Sequence, residues 1–158
     1  MNTTLRLARA GDYAVIASWI SDAASCARWA GPQLAYPFDI RALPHLLEKP
    51  GSNAMVLTDA TDATLGFAQY WQRDAQRVHL GRIIVSPSSR GMGYGRILCE
   101  GLLSTALSHT GRSIASLRVY RDNPAAQNLY RQMGFVEVAS DSDQNVLAME
   151  YTVTSNNR

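Results

Sequence analysis

Residues 78–98 read VHLGRIIVSPSSRGMGYGRIL, in which an apolar, β-branched run gives way to Ser, Pro and Arg and then to three glycines on alternate positions, Gly91, Gly93 and Gly95. Glycine reaches positive φ freely and lets the main chain approach a ligand or another backbone, at the cost of extra ordering entropy. Three together require either a very tight strand-to-helix turn or a ligand held against the main chain. The helical spacing that follows matters, because the first amides of a helix have no acceptor within it and the peptide dipoles favour an anion there. Two familiar phosphate loops do not fit. The nucleotide-hydrolase loop needs GxxxxGK followed by Ser or Thr, and RGMGYGRI offers no such lysine; the dinucleotide loop needs GxGxxG, and Arg96 stands where the third glycine belongs. A phosphate cradle and a purely structural turn both stay open on the local residues.

The rest of the chain supplies the setting. Thr4 to Arg9 alternate as a first strand, and Tyr13, Ile16, Ala17 and Ile20 have helical spacing after Gly11 and Asp12. Ser21 to Pro37 mix aromatics with breakers and read as an ordered loop. Asp39 caps a second helical stretch holding Ile40, Leu43, Leu46 and Leu47, with Phe38 placed as a hydrophobic staple and Pro44 as a blemish. Strand composition returns at residues 53–58, 65–71 and 78–85, then a helix is expected from Tyr94 to His109, stopped by Gly111. Ile114 to Tyr120 form a strand, Asn123 and Pro124 open a helix that Gly134 closes, and two strands at 135–139 and 145–151 finish the chain. Residues 1–151 thus read as one α/β domain, and 152–158 as a flexible tail.

Composition narrows the classes. The 158 residues are 46% hydrophobic and 18% charged, with fifteen Lys and Arg against thirteen Asp and Glu, a net +2 that implies no nucleic-acid partner. Cys26 and Cys99 are the only cysteines, which excludes a disulfide framework and suits a reducing compartment. Three scattered histidines without HxxxH or EF-hand spacing predict no metal site. No basic-then-apolar leader and no apolar run of about 18 residues is present, so a cytoplasmic protein without a membrane partner is expected.

The segment Arg90, Gly91, Met92, Gly93, Tyr94, Gly95 resembles the acyl-coenzyme A binding motif of the GNAT superfamily of N-acetyltransferases, and LRVYRDNPAAQNLYRQMGFVEV resembles the family's second conserved region. In this order, and with this helix length between them, the two cover roughly residues 54–151. The stretch around Trp29, Gly31, Pro32, Pro37 and Phe38 resembles the subgroup of ribosomal-protein N-terminal acetyltransferases more weakly. The resemblance implies a central mixed sheet of six or seven strands flanked by about four helices, and acetyl-CoA as acyl donor for a small-molecule, peptide or protein amine. It implies direct attack in a ternary complex, with a homodimer compatible. It further implies that the amides from Arg90 to Gly95 cradle the pyrophosphate, with Arg96 a surface residue or a phosphate contact. Ile83, Ile84 and Val85 would pair with the pantetheine arm, and a free amide at Ile84 or Val85 would face the oxyanion.

Several residues carry two readings. Asn123 caps the helix opened by Pro124 or contacts the pantetheine arm beside Ala126. Tyr130 shares an apolar stripe with Ala126, Leu129 and Met133 and reads as a core tyrosine, whereas the resemblance makes it the proton donor to the departing thiolate. His79 is a general base or a hydrogen-bonded strand histidine. Arg82 orients an acceptor carboxylate or covers the sheet edge. Trp29, Tyr36 and Phe38 line the acceptor site or pin their loops to the sheet. A catalytically weak acyl-coenzyme A sensor and an unrelated α/β domain with structural glycines are the competing classes.

Overall fold

The computed structural model of the protein describes residues 2–154. Seven strands, β1 (Thr4–Leu7), β2 (Asn53–Thr58), β3 (Thr64–Gln72), β4 (Arg77–Val85), β5 (Ile114–Tyr120), β6 (Val136–Glu137) and β7 (Val146–Thr152), form one sheet in the order β1-β2-β3-β4-β5-β7-β6. Every neighbouring pair is antiparallel except β4 and β5. Five helices cover it: α1 (Asp12–Ser18), α2 (Ala23–Ala30), α3 (Leu43–Leu46), α4 (Tyr94–Thr110) and α5 (Pro124–Met133). The expected mixed α/β sheet is therefore present with seven strands, and with one helix more than expected.

The period-2 pattern of the strands divides the core in two. Val78, Leu80, Ala115, Leu117, Val119, Leu147 and Met149 meet Leu98, Leu102 and Ala106 of α4 and Tyr130 of α5 on one face. On the other, Val56 and Phe67 meet Tyr13, Ile16, Cys26, Trp29 and Leu43 from α1, α2 and α3. Both faces are covered over the middle of the sheet, which is why its central strands are nearly continuous in apolar residues.

The extra helix is α2. Gly31 and Pro32 had weighed toward a loop, but they lie beyond its end; the four alanines of Ala23–Ala30 favour helix, and Cys26 and Trp29, three residues apart, share its buried side. Asp22 and Ser25 close its start with a reciprocal capping box, and Gly31 ends it at φ +85°. Asp39 caps as expected, accepting from the Arg41 amide, but Pro44 splits the second stretch into a 3₁₀ turn (Ile40–Ala42) and α3. The tail is also corrected at its start: Thr152 pairs with Ile114, and the Val153 amide donates to Ser113. Residues 155–158 lie outside the described residues. No described helix is long and apolar enough to cross a membrane, and no group of three metal-ligating side chains occurs among the described residues.

The entry of α1 is fixed by charge. Asp12 is 7% exposed and accepts from Arg6 Nη1 and Nη2 at 2.8 and 3.0 Å, from the Arg9 amide at 2.6 Å and from Thr64 Oγ1 at 3.4 Å. Burial alone would raise the Asp12 pKa, but these donors outweigh it and hold the carboxyl below its ordinary value. Asp12→Ala removes the buried counter-ion of Arg6, which retains the exposed Asp62 and the Leu7 carbonyl. The expected loss is about 3 kcal/mol at pH 7, read as a lower urea midpoint with an unchanged slope, and it should shrink as the pH falls below 4.

Candidate active site

The site begins as a defect in the sheet. On β3 Phe67 pairs with Ile84 and Gln69 with Gly81, so Ala68 faces two residues of β4, Arg82 and Ile83. This is a β-bulge, and Arg82 adopts φ +52° within it. It reverses the phase of the strand: Val78 and Leu80 face α4 before it, Ile83 and Val85 after it, while Ile84 turns to the α1–α3 face. Trp29 of α2 locks the bulge from above, its Nε1 donating to the Arg82 carbonyl at 2.9 Å. Pairing of β4 with β5 is confined to Arg77 with Ile114, Val78 with Ala115 and His79 with Ser116. Beyond these residues the two strands diverge.

A channel of about 140 Å³ runs through this divergence, between Gly81 to Ile83 on one side and Arg118 to Tyr120 on the other, reaching Asn123, Ala126 and Tyr130 of α5. It shares its mouth with a cavity of about 390 Å³ on the α2 face, bounded by Trp29, Lys49, Trp71, His79, Arg82 and Arg118. Toward the end of β4, Ser86 donates its amide to Leu65. Backbone groups alternate along a strand, so Ile84 faces β3 and the Val85 amide and carbonyl face the open side. The Val85 carbonyl accepts from Arg90 Nε at 3.3 Å, consistent with that direction.

Next along the chain, Gly91 and Gly93 adopt φ +77° and +88°, and Gly93 precedes the first residue of the seventeen-residue α4 without any side-chain cap. An added Cβ at Gly91 would meet nothing within 4 Å, and at Gly95 only Val85 at 3.9 Å. Space and free amides thus coincide in front of a long helix, an arrangement that fits a pyrophosphate.

Two side chains of the channel and one of the cavity have defined chemistry. Asn123 Oδ1 accepts from the Ala126 amide at 3.2 Å, so its capping role is realised and its amide group is the part left for a ligand. Tyr130, 7% exposed, packs against Phe135 and is hydrogen-bonded to the Cys99 thiol. Burial, reinforced by Cys99, pushes its phenol well above the ordinary value, so it stays protonated at any physiological pH. Burial likewise pushes the Cys99 thiol up to about 12 against the opposing Tyr130 hydrogen bond, and it raises the Cys26 thiol. Neither cysteine is a nucleophile near neutral pH.

His79 is held between Trp71, with ring centroids 5.0 Å apart, and Ser116 Oγ, 2.8 Å from Nδ1. Burial first, then the positive charges of Arg73, Arg118 and Lys49, push its pKa down to about 4. Glu150, the carboxylate nearest in the sheet register, is engaged by Arg77 and Arg73. The imidazole is neutral at pH 7 and able to accept a hydrogen bond, but it is a weak proton sink.

Of the residues expected from sequence, Trp29, His79, Arg82, Ile83, Asn123, Ala126 and Tyr130 line the channel or its cavity. Ile84, Val85 and the run from Arg90 to Gly95 continue from it along β4 into α4. The Arg96 side chain does not join them: it bonds Glu100 and Gln132 in a separate groove between α4 and α5. Tyr36 and Phe38 pair edge to face with each other, 6.0 Å apart, and neither lines the cavity. Trp71, Lys49, Arg118 and Tyr120 were missed. Strand alternation carried the signal for three of them, since Trp71 stands opposite His79 and Arg118 and Tyr120 follow Ser116 at intervals of two.

The buried imidazole has a consequence for stability. Its folded pKa of about 4 lies below the ordinary 6.5, so between these values the unfolded chain takes up a proton that the folded chain refuses. The contribution is present above pH 6.5 and is lost as the pH falls toward 4, by on the order of 3 kcal/mol. Urea unfolding of wild type and His79→Gln across this range should show a steeper loss of stability in wild type, and parallel curves would contradict it.

Comparisons with known proteins bear on this geometry. Residues 16–135 match the acetyltransferase (GNAT) family. The chain is 38% identical over 77 residues to a mycothiol acetyltransferase of Gordonia bronchialis, covering 49% of this chain and 25% of that one. It is 32% identical over 81 residues to a UPF0039 protein of Schizosaccharomyces pombe, covering 51% and 53%. It therefore spans between a quarter and about half of the length of these curated relatives. Its fold is that of a Vibrio cholerae spermidine N-acetyltransferase solved with CoA and spermine, at TM-score 0.80, 21% identity and coverage of 96% and 95%. A dodecameric form of the V. cholerae enzyme superimposes at TM-score 0.74 and 22% identity, covering 96% and 94%. With the splayed strands and the glycine-led helix in the positions its sequence motifs assign them, this chain belongs to the acetyltransferase (GNAT) family.

Proposed function

We propose that the protein transfers the acetyl group of acetyl-CoA to a primary amine by direct attack within a ternary complex. The observation that carries the reading is the diverging edge of β4, which at Gly81 to Ile83 lines a channel shared with the cavity on the α2 face and then leads along the chain to the glycine-led start of α4. Acetyl-CoA, when bound, supplies an acetyl thioester whose carbonyl is open to a nucleophile.

The residues divide the remaining work. The amides of residues 91–95 hold the pyrophosphate, and the free edge from Ile83 to Val85 takes the pantetheine arm as an added strand. The Val85 amide, turned from β3, donates to the carbonyl oxygen as negative charge builds there, without any reorganisation at that moment. The amine reaches the carbonyl from the cavity, and the surrounding cations favour its neutral form by opposing an ammonium in the same space. His79 Nε2 accepts one amine hydrogen when Nδ1–H donates to Ser116; the proton then leaves through the open cavity to water, since an imidazole titrating at about 4 does not retain it. Tyr130 protonates the departing sulfur, exchanging Cys99 for that sulfur as its acceptor. With both thiols protonated, there is no cysteine to carry the acetyl group as a covalent intermediate. The dodecameric assembly of the V. cholerae enzyme supports self-association, with a homodimer as the simplest form.

The test is a screen of amines and short peptides with acetyl-CoA, following thiol release and acceptor mass together, with acceptor-free controls for hydrolysis. Two variants probe the parts. Gly93→Val cannot hold φ +88° comfortably and should raise the acetyl-CoA dissociation constant at least about tenfold, or 1.4 kcal/mol, while the circular dichroism spectrum is kept. Tyr130→Phe keeps the ring and its packing, so calorimetric acetyl-CoA binding should stay near wild type while turnover drops by roughly 10- to 1000-fold. Turnover within twofold of wild type, with chemistry limiting, removes the hydroxyl from the mechanism.

A further inference from the structure

The cavity on the α2 face is positively charged with nothing to balance it. Arg28, Lys49, Arg82 and Arg118 line it, and no aspartate or glutamate does. Arg28 and Arg118 have outlets of their own: Arg28 bonds Asp122 at 3.0 Å and covers the Tyr120 ring, and Arg118 bonds the Asp141 carbonyl and stands 3.6 Å from Asp143. Arg82 and Lys49 have none. Among the described residues neither forms an ion pair with a carboxylate, and both lie over the Trp71 ring, at 5.2 and 5.8 Å from its centroid.

Arg82 is also held in place. Its Nη1 donates to the Leu47 carbonyl at 2.7 Å and to Gln69 Oε1 at 3.0 Å, and Gln69, 3% exposed, is itself braced by donating to the same carbonyl. Both acceptors are neutral and both use one nitrogen, which leaves Nη2 and Nε for something else. A half-buried guanidinium without a counter-ion has lost hydration that neutral acceptors replace only in part. The bulge places it there: Arg82 stands at φ +52°, and Gly81 beside it is required because a Cβ would lie 2.6 Å from the Trp71 ring. A β-bulge, a missing side chain and a buried glutamine thus converge on one cation that has no carboxylate partner among the described residues.

We infer that this cavity selects an amine that also bears a carboxylate, a free amino acid in its simplest form, with the carboxylate held by Arg82 and Lys49 over Trp71 and the amine directed past His79 into the channel. The inference rests on the acetyltransferase reading and names its acceptor. Trp71 is within 6 Å of both cations and its ring centroid is 5.0 Å from that of His79, so one indole borders both the carboxylate subsite and the amine subsite. A planar guanidinium fork with two nitrogens free suits a carboxylate bidentately. The same field disfavours a polyamine, which would bring two or three positive charges among four. The likeness to a spermidine acetyltransferase is therefore one of fold, and the acceptor cavity is built for the opposite charge.

The test is calorimetric titration of the full chain, with and without CoA, using the free amino acids, the corresponding amino-acid amides, phosphoethanolamine and spermidine. At least one amino acid should bind tenfold or more tightly than its amide, and spermidine should bind more weakly than both. Arg82→Gln and, separately, Lys49→Gln should each narrow the acid-over-amide preference at least threefold, mainly by weakening the acid; one folded variant of the two suffices. Equal binding of acids and amides, a preference for phosphoethanolamine or spermidine, or no binding by any amino acid overturns the inference. Binding of CoA is read in the same experiment, so failure of the acetyltransferase reading shows separately as an absent CoA isotherm.

Discussion

Everything at the centre of this molecule depends on one misfit in the ladder between β3 and β4, where two residues of β4 oppose Ala68. The bulge turns Arg82 into a left-handed conformation and re-phases the strand, so that the backbone after it is aimed differently from the backbone before it. Strands β4 and β5 can then pair for three residues and separate. The hydrogen bond from Trp29 to the Arg82 carbonyl ties α2 to this point, so the helix that roofs the cavity and the strand that opens the channel are set by the same contact. A bulge normally leaves backbone groups to be satisfied elsewhere. Here one is satisfied by an indole, and the diverging edge beyond it is left open to a ligand.

The electrostatics follow from that geometry. Arg82 is carried inward by the bulge, Lys49 arrives from the loop after α3, Arg118 from β5 and Arg73 from the end of β3. Burial, with the charges of Arg73, Arg118 and Lys49, keeps the His79 imidazole neutral. A cationic cavity is chemically coherent with the proposed acceptance of a neutral amine, because it lowers the proton affinity of the incoming group while offering an anchor to a negative one. On the far side of the sheet the demand is different. There the start of α4 presents backbone amides rather than side chains, so the pyrophosphate site we propose does not call on Arg96, whose side chain bonds Gln132 of α5.

Much of this was legible in the sequence because it is written locally. The glycines of RGMGYG, the Asn-Pro opening of α5 and the Gly134 stop are each tied to a backbone requirement within a few residues, and alternation located the strands to within a residue or two. What was missed depends on distant partners. The α2 helix hides behind Gly31 and Pro32 because its stabilising contact, Trp29 to Arg82, spans 53 positions. Arg96 reads in the sequence as a surface or phosphate-contacting residue, and which side chain it bonds, Gln132 on another helix, depends on packing that the local residues do not record. Tyr36 and Phe38 look like a binding pair in sequence but satisfy each other. The bulge itself has no local signature except Gly81, whose need is apparent only once Trp71 is seen above it.

The central claim is that acetyl-CoA lies along the open edge of β4 and against the start of α4. Amide hydrogen exchange with and without acetyl-CoA measures this residue by residue. The account predicts new protection at the amides of Ile83, Val85 and residues 91–95, with little change along the outer groove between α4 and α5 lined by Leu103, Leu107 and Met133. Protection concentrated in that groove, with residues 83–95 unaffected, would contradict it.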